Sequence, residues 1–102
     1  MTVKKQYLKT KPYCKVTFRL DKQSAGGAHQ VAIAGDFNAW ATQTTPMKAL
    51  KSGDFTATLN LPKGREYQYR YVVDGHFWMT DPSADKRIYC EFANAENAVV
   101  VV

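Results

Sequence analysis

From Tyr67 to Pro82 the chain reads Tyr-Gln-Tyr-Arg-Tyr-Val-Val-Asp-Gly-His-Phe-Trp-Met-Thr-Asp-Pro, and this stretch restricts the fold more than any other. Tyr67, Tyr69, Tyr71 and Val73 alternate with Gln68, Arg70 and Val72, which is the period of a strand with one buried face. Asp74-Gly75 supplies residues that tolerate positive φ, as a tight reversal requires. The returning strand carries Phe77 and Trp78 and stops at Asp81-Pro82, because proline cannot donate to a ladder. One hairpin therefore presents a cation and a large aromatic on an accessible sheet face.

The rest of the chain repeats the strand signal. Val16, Phe18 and Leu20 alternate with Lys15, Thr17 and Arg19, while Phe55, Ala57, Leu59 and Leu61 alternate with Thr56, Thr58 and Asn60. Further strands are expected over 29–35 and 98–102, with a short extended piece over 88–92. Between them, 21–27, 35–40, 52–54 and 93–97 read as turns on their Gly, Ser and Asx content. Gly35-Asp36-Phe37-Asn38-Ala39-Trp40 puts Trp40 at a loop rim. Short strands between such turns, with no helix longer than a turn, predict an all-β, immunoglobulin-like antiparallel β-sandwich.

At 102 residues the chain is sized for one domain with its own core. No apolar run reaches the ~20 residues needed to span a bilayer, and Met1-Thr2-Val3-Lys4-Lys5 lacks the apolar segment of an export signal. A cytoplasmic location is expected, with Cys14 and Cys90 as separate reduced thiols. The net charge of +5 is not spread evenly: residues 1–22 hold seven basic side chains and one acid, against seven and eight beyond. Residues 1–12 therefore read as a solvated basic arm ahead of a domain over 13–102. Nucleic acid is a poor expectation for a partner, because the excess is confined to one end.

At the level of motifs, Val31 to Trp40, Gly53-Asp54-Phe55, Leu61-Pro62-Lys63-Gly64, Tyr69 to Gly75, Asp81-Pro82 and Asn97-Ala98-Val99-Val100 resemble, in order, the family 48 carbohydrate-binding modules. These include the N-terminal domains of isoamylases and glycogen branching enzymes and the glycogen-binding domain of AMP-activated kinase β subunits. The resemblance covers about residues 29–102 and implies an early-set immunoglobulin-like sandwich that binds glycogen, starch or maltooligosaccharides without calcium or any cofactor. By position it implies that Trp40 and Trp78 stack on glucose rings, with Phe77 as the alternative to Trp78. Arg70 and Asn97 would bond sugar hydroxyls. Stacking suits the chemistry, since a pyranose offers an apolar C–H face and a rim of hydroxyls. Each residue also has a plainer role open to it: Trp40 as loop packing, Arg70 as an exposed strand cation, and Asn97 as a turn cap. The alternative function is an adaptor of the same fold that docks onto a glucan-metabolising enzyme.

Hairpin register decides between Phe77 and Trp78. A loop of Asp74-Gly75 alone sets Val72 opposite Phe77 and turns Trp78 to the core. A loop that also takes His76, as a type I turn followed by a bulge, sets Val72 opposite Trp78 and turns Phe77 inward. The longer loop is expected, because a buried Trp has an N–H to satisfy and a buried Phe does not. The five residues between Asp74-Gly75 and Asp81-Pro82 are one more than in the kinase-type modules. The leucine that passes through the glucan spiral in that type has no clean match, with Tyr89, Glu91 and Phe92 in its neighbourhood.

No catalytic constellation emerges. Asp36 and Asp74 lie in turns where Asx residues have local work, and His29 and His76 lack ligand spacing. A TIM barrel of ~250 residues, the usual neighbour of such a module, has no room here. The expectation is a non-enzymatic chain with no metal.

Overall fold

The computed structural model describes residues 3–81, 84–91 and 94–102. The strand stop expected at Pro82 and the position of Phe92 lie outside the described residues. In chain order the elements are β1 (Val3–Tyr7), β2 (Tyr13–Leu20), the single helical turn α1 (Lys22–Ala25), β3 (Val31–Gly35), β4 (Lys48–Ala49), β5 (Phe55–Pro62), β6 (Glu66–Val73), β7 (Phe77–Met79), β8 (Lys86–Cys90) and β9 (Ala95–Val101). They form two antiparallel sheets. Sheet A has the order β1-β2-β5-β4; sheet B has the order β3-β6-β9-β8, with β7 also paired to β6. The chain is thus the all-β, immunoglobulin-like sandwich that its alternating strands predict.

Between the sheets, the inward residues of β2, Val16, Phe18 and Leu20, meet Tyr67, Tyr69 and Tyr71 of β6. Phe18 lies edge-on to Tyr69 with ring centroids 4.9 Å apart, a favourable aromatic geometry. Each tyrosine hydroxyl needs an acceptor once buried. Tyr67 donates to the Pro62 carbonyl at 3.0 Å, and Tyr69 and Tyr71 both donate to Oδ2 of the fully buried Asp81, at 2.7 and 3.0 Å. Burial, reinforced by the Asp81 carboxylate, pushes both hydroxyls well above the ordinary tyrosine range.

The N-terminal stretch differs from its reading as a solvated arm. Val3–Tyr7 pairs residue for residue with β2, from Val3 opposite Phe18 to Tyr7 opposite Cys14, and Val3 is buried. Only one apolar side chain of this strand enters the core, so its sequence looks like a charged tail. Deleting residues 1–7 is expected to cost about 2 kcal/mol through the lost Val3 burial. In a domain of this size that lowers Tm by roughly 10 °C, which a thermal melt would detect; an unchanged melt would return the segment to an arm.

Three further readings shift. The 3-residue β7 pairs with β6 as Val72 opposite Trp78 and Val73 opposite Phe77, so the loop takes His76 as expected. Both Asp74 (φ 52°) and Gly75 (φ 81°) have positive φ, which is not a type I turn followed by a bulge. Phe77 faces away from Trp78, yet it is 64% exposed instead of buried. A short strand at the end of the sandwich has no layer opposite it: Phe77 overlooks a groove shared with Ala25, Val73 and Met79. Phe77→Ala should therefore cost under about 1 kcal/mol, not the ~3–5 kcal/mol of a core truncation; urea titration would measure the difference. Finally, β9 begins at Ala95, so Asn97 sits inside a strand opposite Ile88 instead of capping a turn.

Candidate functional site

The loop after β3 is built to hold Trp40. Gly35 pairs with Tyr69, and a Cβ there would lie 2.5 Å from the Gln68 carbonyl and 2.8 Å from the Tyr69 Cβ, so only glycine allows this approach. A single 3-10 turn, Asp36–Asn38, follows. Asn38 fixes it by accepting from the Gly35 N–H at 3.0 Å and donating to the Ile33 carbonyl at 2.9 Å and to Thr45 Oγ1 at 3.0 Å. Ala39 and Trp40 then adopt φ of 56° and 59°, a left-handed backbone costing of order 1 kcal/mol or more for each non-glycine residue. The Trp40 N–H donates to the Gly35 carbonyl at 2.9 Å and its indole Nε1–H to Asp36 Oδ1 at 3.0 Å. The other Asp36 oxygen accepts the Gln68 N–H at 2.8 Å. One carboxylate thus ties the indole to the backbone of β6.

Arg70 sits where β6 changes partner, from β9 along Glu66 to Tyr69 to β7 along Tyr71 to Val73. At this fork Trp78 arrives from one side and Asn97 from the other. The Arg70 guanidinium lies 5.6 Å from the Trp78 ring centroid, within cation–π range. Its Nε is buried and has no hydrogen-bond partner among the described residues, and an unmet buried donor costs ~1–3 kcal/mol. Asn97 is buried and donates its amide to Gln68 Oε1 at 3.1 Å. The Trp40 and Trp78 rings stand 6.4 Å apart and are inclined by 34°.

Trp40, Arg70, Trp78 and Asn97 therefore line one open depression of about 500 Å³ on the outer face of sheet B, together with Cys90. Phe77 points to the opposite side of the sheet. Asp36 has the local work expected of an Asx residue in a turn, and that work includes aiming Trp40, whereas Gln68, which aims Asn97, has no role in the sequence reading. The period-two alternation does place Gln68 on the Arg70 face, so that signal was present. Both cysteines are free thiols, with Cys14 buried within sheet A's strands and Cys90 partly exposed at the site. Among the described residues no group of acids, histidines or cysteines is arranged to hold a metal.

A two-sheet sandwich with this aromatic and amide-lined face falls in the class of carbohydrate-binding modules, a non-catalytic domain type. Residues 19–102 match the family described as the glycogen recognition site of AMP-activated protein kinase, and the chain belongs to that family. It is 46% identical over 57 residues to 5'-AMP-activated protein kinase subunit beta-2 of Mus musculus and of Homo sapiens, covering 56% of this chain and 20% of theirs. Protein PTST homolog 2, chloroplastic, of Arabidopsis thaliana is 38% identical over 55 residues, which is 54% of this chain and 10% of that protein. The matched stretch is thus a fifth or less of the length of these curated relatives.

Proposed function

We propose that the chain is a non-catalytic module that binds α-glucan of the glycogen or starch type on the outer face of sheet B. The observation that carries this reading is the pair of indoles inclined at 34° beside Arg70 and Asn97 in one depression. Two rings inclined to each other in one depression can each meet the C–H face of a different sugar when successive sugars are themselves inclined, as along the curved chain of an α-linked glucan. Arg70 and Asn97 then bond the hydroxyl rim. The strained, multiply tethered Trp40 loop is set before the ligand arrives, which lowers the ordering cost of binding. In this reading the module works in the cytoplasm and needs no metal or cofactor.

The names of the kinase β-2 relatives describe subunits of a protein kinase, which supports a companion role as an adaptor that docks onto an enzyme. Maltoheptaose titration followed by tryptophan fluorescence tests the sugar reading directly, since Trp40 and Trp78 are the two tryptophans in the chain. A saturable change, with retardation in a glycogen-containing native gel, is expected. No change in either assay would leave the adaptor role in its place.

A further inference from the structure

Charge is divided unevenly between the two sheets. The strands of sheet A carry Lys4, Lys5, Lys15, Arg19 and Lys48 and no acid. Those of sheet B carry Arg70, Lys86 and Arg87 against Glu66 and Glu96. Two sheet A cations are neutralised at its margins: Lys5 reaches Asp85 at 2.6 Å and Arg19 reaches Asp54 at 2.7 Å. Lys4, Lys15 and Lys48 are exposed and have no acidic partner among the described residues.

The register places all three on the outer face, directed away from sheet B. Lys4 lies opposite Thr17, Lys15 opposite Gln6 and Asn60, and Lys48 opposite Thr56. Lys4 and Lys15 are diagonal neighbours across one ladder, at a spacing of roughly 7–8 Å where like charges repel unless an anion intervenes. They share a shallow depression with Gln6, the ion-paired Lys5, and Thr17 and Thr58, the hydroxyls of the two threonines meeting at 3.1 Å. Lys4 and Lys15 precede the stretch matched to the family, which starts at residue 19. A neutral glucan on the far face has no use for this charge.

We infer that the outer face of sheet A is a docking surface for the acidic surface of a protein partner. The two alternatives for a cationic face fare worse on magnitude. Three free lysines fall short of the six to ten phosphate contacts common in duplex binding at physiological salt, and at an anionic bilayer three lysines give only roughly millimolar association. The centre of the face is threonine and amide, which bond carboxylates and peptide groups; among the described residues the aromatic on this side, Tyr13, is half-buried at the end of β2, and Tyr7 lies at the end of β1, so the centre offers nothing to enter lipid. Four strands of this length make a face of roughly 400 Å², half of a standard interface side. The contact is therefore transient and sensitive to salt.

The test is an amide NMR titration of the whole chain with a 20-residue (approximately) poly-L-glutamate peptide in low salt. Shifts should map to β1, β2 and β5 and spare the Trp40 loop and Trp78. Raising NaCl from about 50 to 300 mM should weaken binding at least ~10-fold. Lys4→Glu with Lys15→Glu, both at exposed positions, should weaken it at least ~10-fold while the thermal midpoint and maltoheptaose titration stay as in wild type. Shifts spread over both sheets, or a double variant that binds as wild type, would overturn the inference. So would tighter binding at equal charge to phosphatidylserine vesicles or to duplex DNA, which would assign the face to lipid or nucleic acid. The inference is independent of the glucan reading: Trp78→Ala should lose sugar and keep the peptide.

Discussion

Asp81→Ala is expected to lower the unfolding free energy by about 3–5 kcal/mol, a third or more of what holds a domain of this kind together. The carboxylate accepts from both Tyr69 and Tyr71 in the centre of the core. Without it two buried hydroxyls lose an acceptor, each at ~1–3 kcal/mol, and a void opens beside them. Tyr69→Phe keeps Asp81 bonded to Tyr71 and should cost only about 1–2 kcal/mol. The same network makes stability fall in alkali. Folding raises both tyrosines above their ordinary value of 10.0, so the unfolded chain loses these protons first. Their contribution is complete below pH 10 and declines above it, by about 1.4 kcal/mol per tyrosine for each pH unit. Urea midpoints measured across that range should slope downward, and Tyr69→Phe should halve the slope. An Asp81→Ala protein with wild-type stability would show that the hydroxyls find other acceptors.

Trp78→Ala is expected to reduce maltoheptaose affinity at least ~100-fold, the loss of about 3 kcal/mol typical of a dominant aromatic contact. It removes the stacking face and also the ring against which Arg70 rests. Stability should change little, because the ring is already 37% exposed on a three-residue strand. Asp36→Asn should be milder: Trp40 stays in the loop, but the carboxylate link between its indole and β6 is weakened. Isothermal titration on both variants would rank them, and wild-type affinity in Trp78→Ala would remove the indole pair as the binding surface.

What was legible in the sequence was mostly local. The alternation of tyrosines tells which face of β6 is buried, and the cost of burying an indole N–H points to the register that sets Trp78 on the Arg70 side, although Phe77 is not buried in its place. Alternation tells which way a side chain points, however, and not whether anything lies opposite, so it points Phe77 to a core that does not reach it. The β1 strand was hidden for a related reason: an edge strand needs one buried apolar residue, and Val3 among lysines carries no period. Beside Pro82, Asp81 looks like part of a strand stop, whereas its role depends on hydroxyls ten and twelve residues away. Asn97 stood among Ala, Glu and Asn, a composition shared by turns and by strands whose pairing comes from distant partners.

The position of β9 bears on how the molecule comes into being during synthesis. All four strands of sheet A lie within residues 3–62, so that layer can pair as soon as Pro62 has emerged. Sheet B cannot do the same, because β9 is inserted between β6 and β8 and brings Ala98 and Val100 to the core. Until residues 95–101 leave the ribosome, β8 has no neighbour to join and Arg70 has no Asn97 beside it. The cationic layer can thus be complete on the nascent chain before sheet B exists.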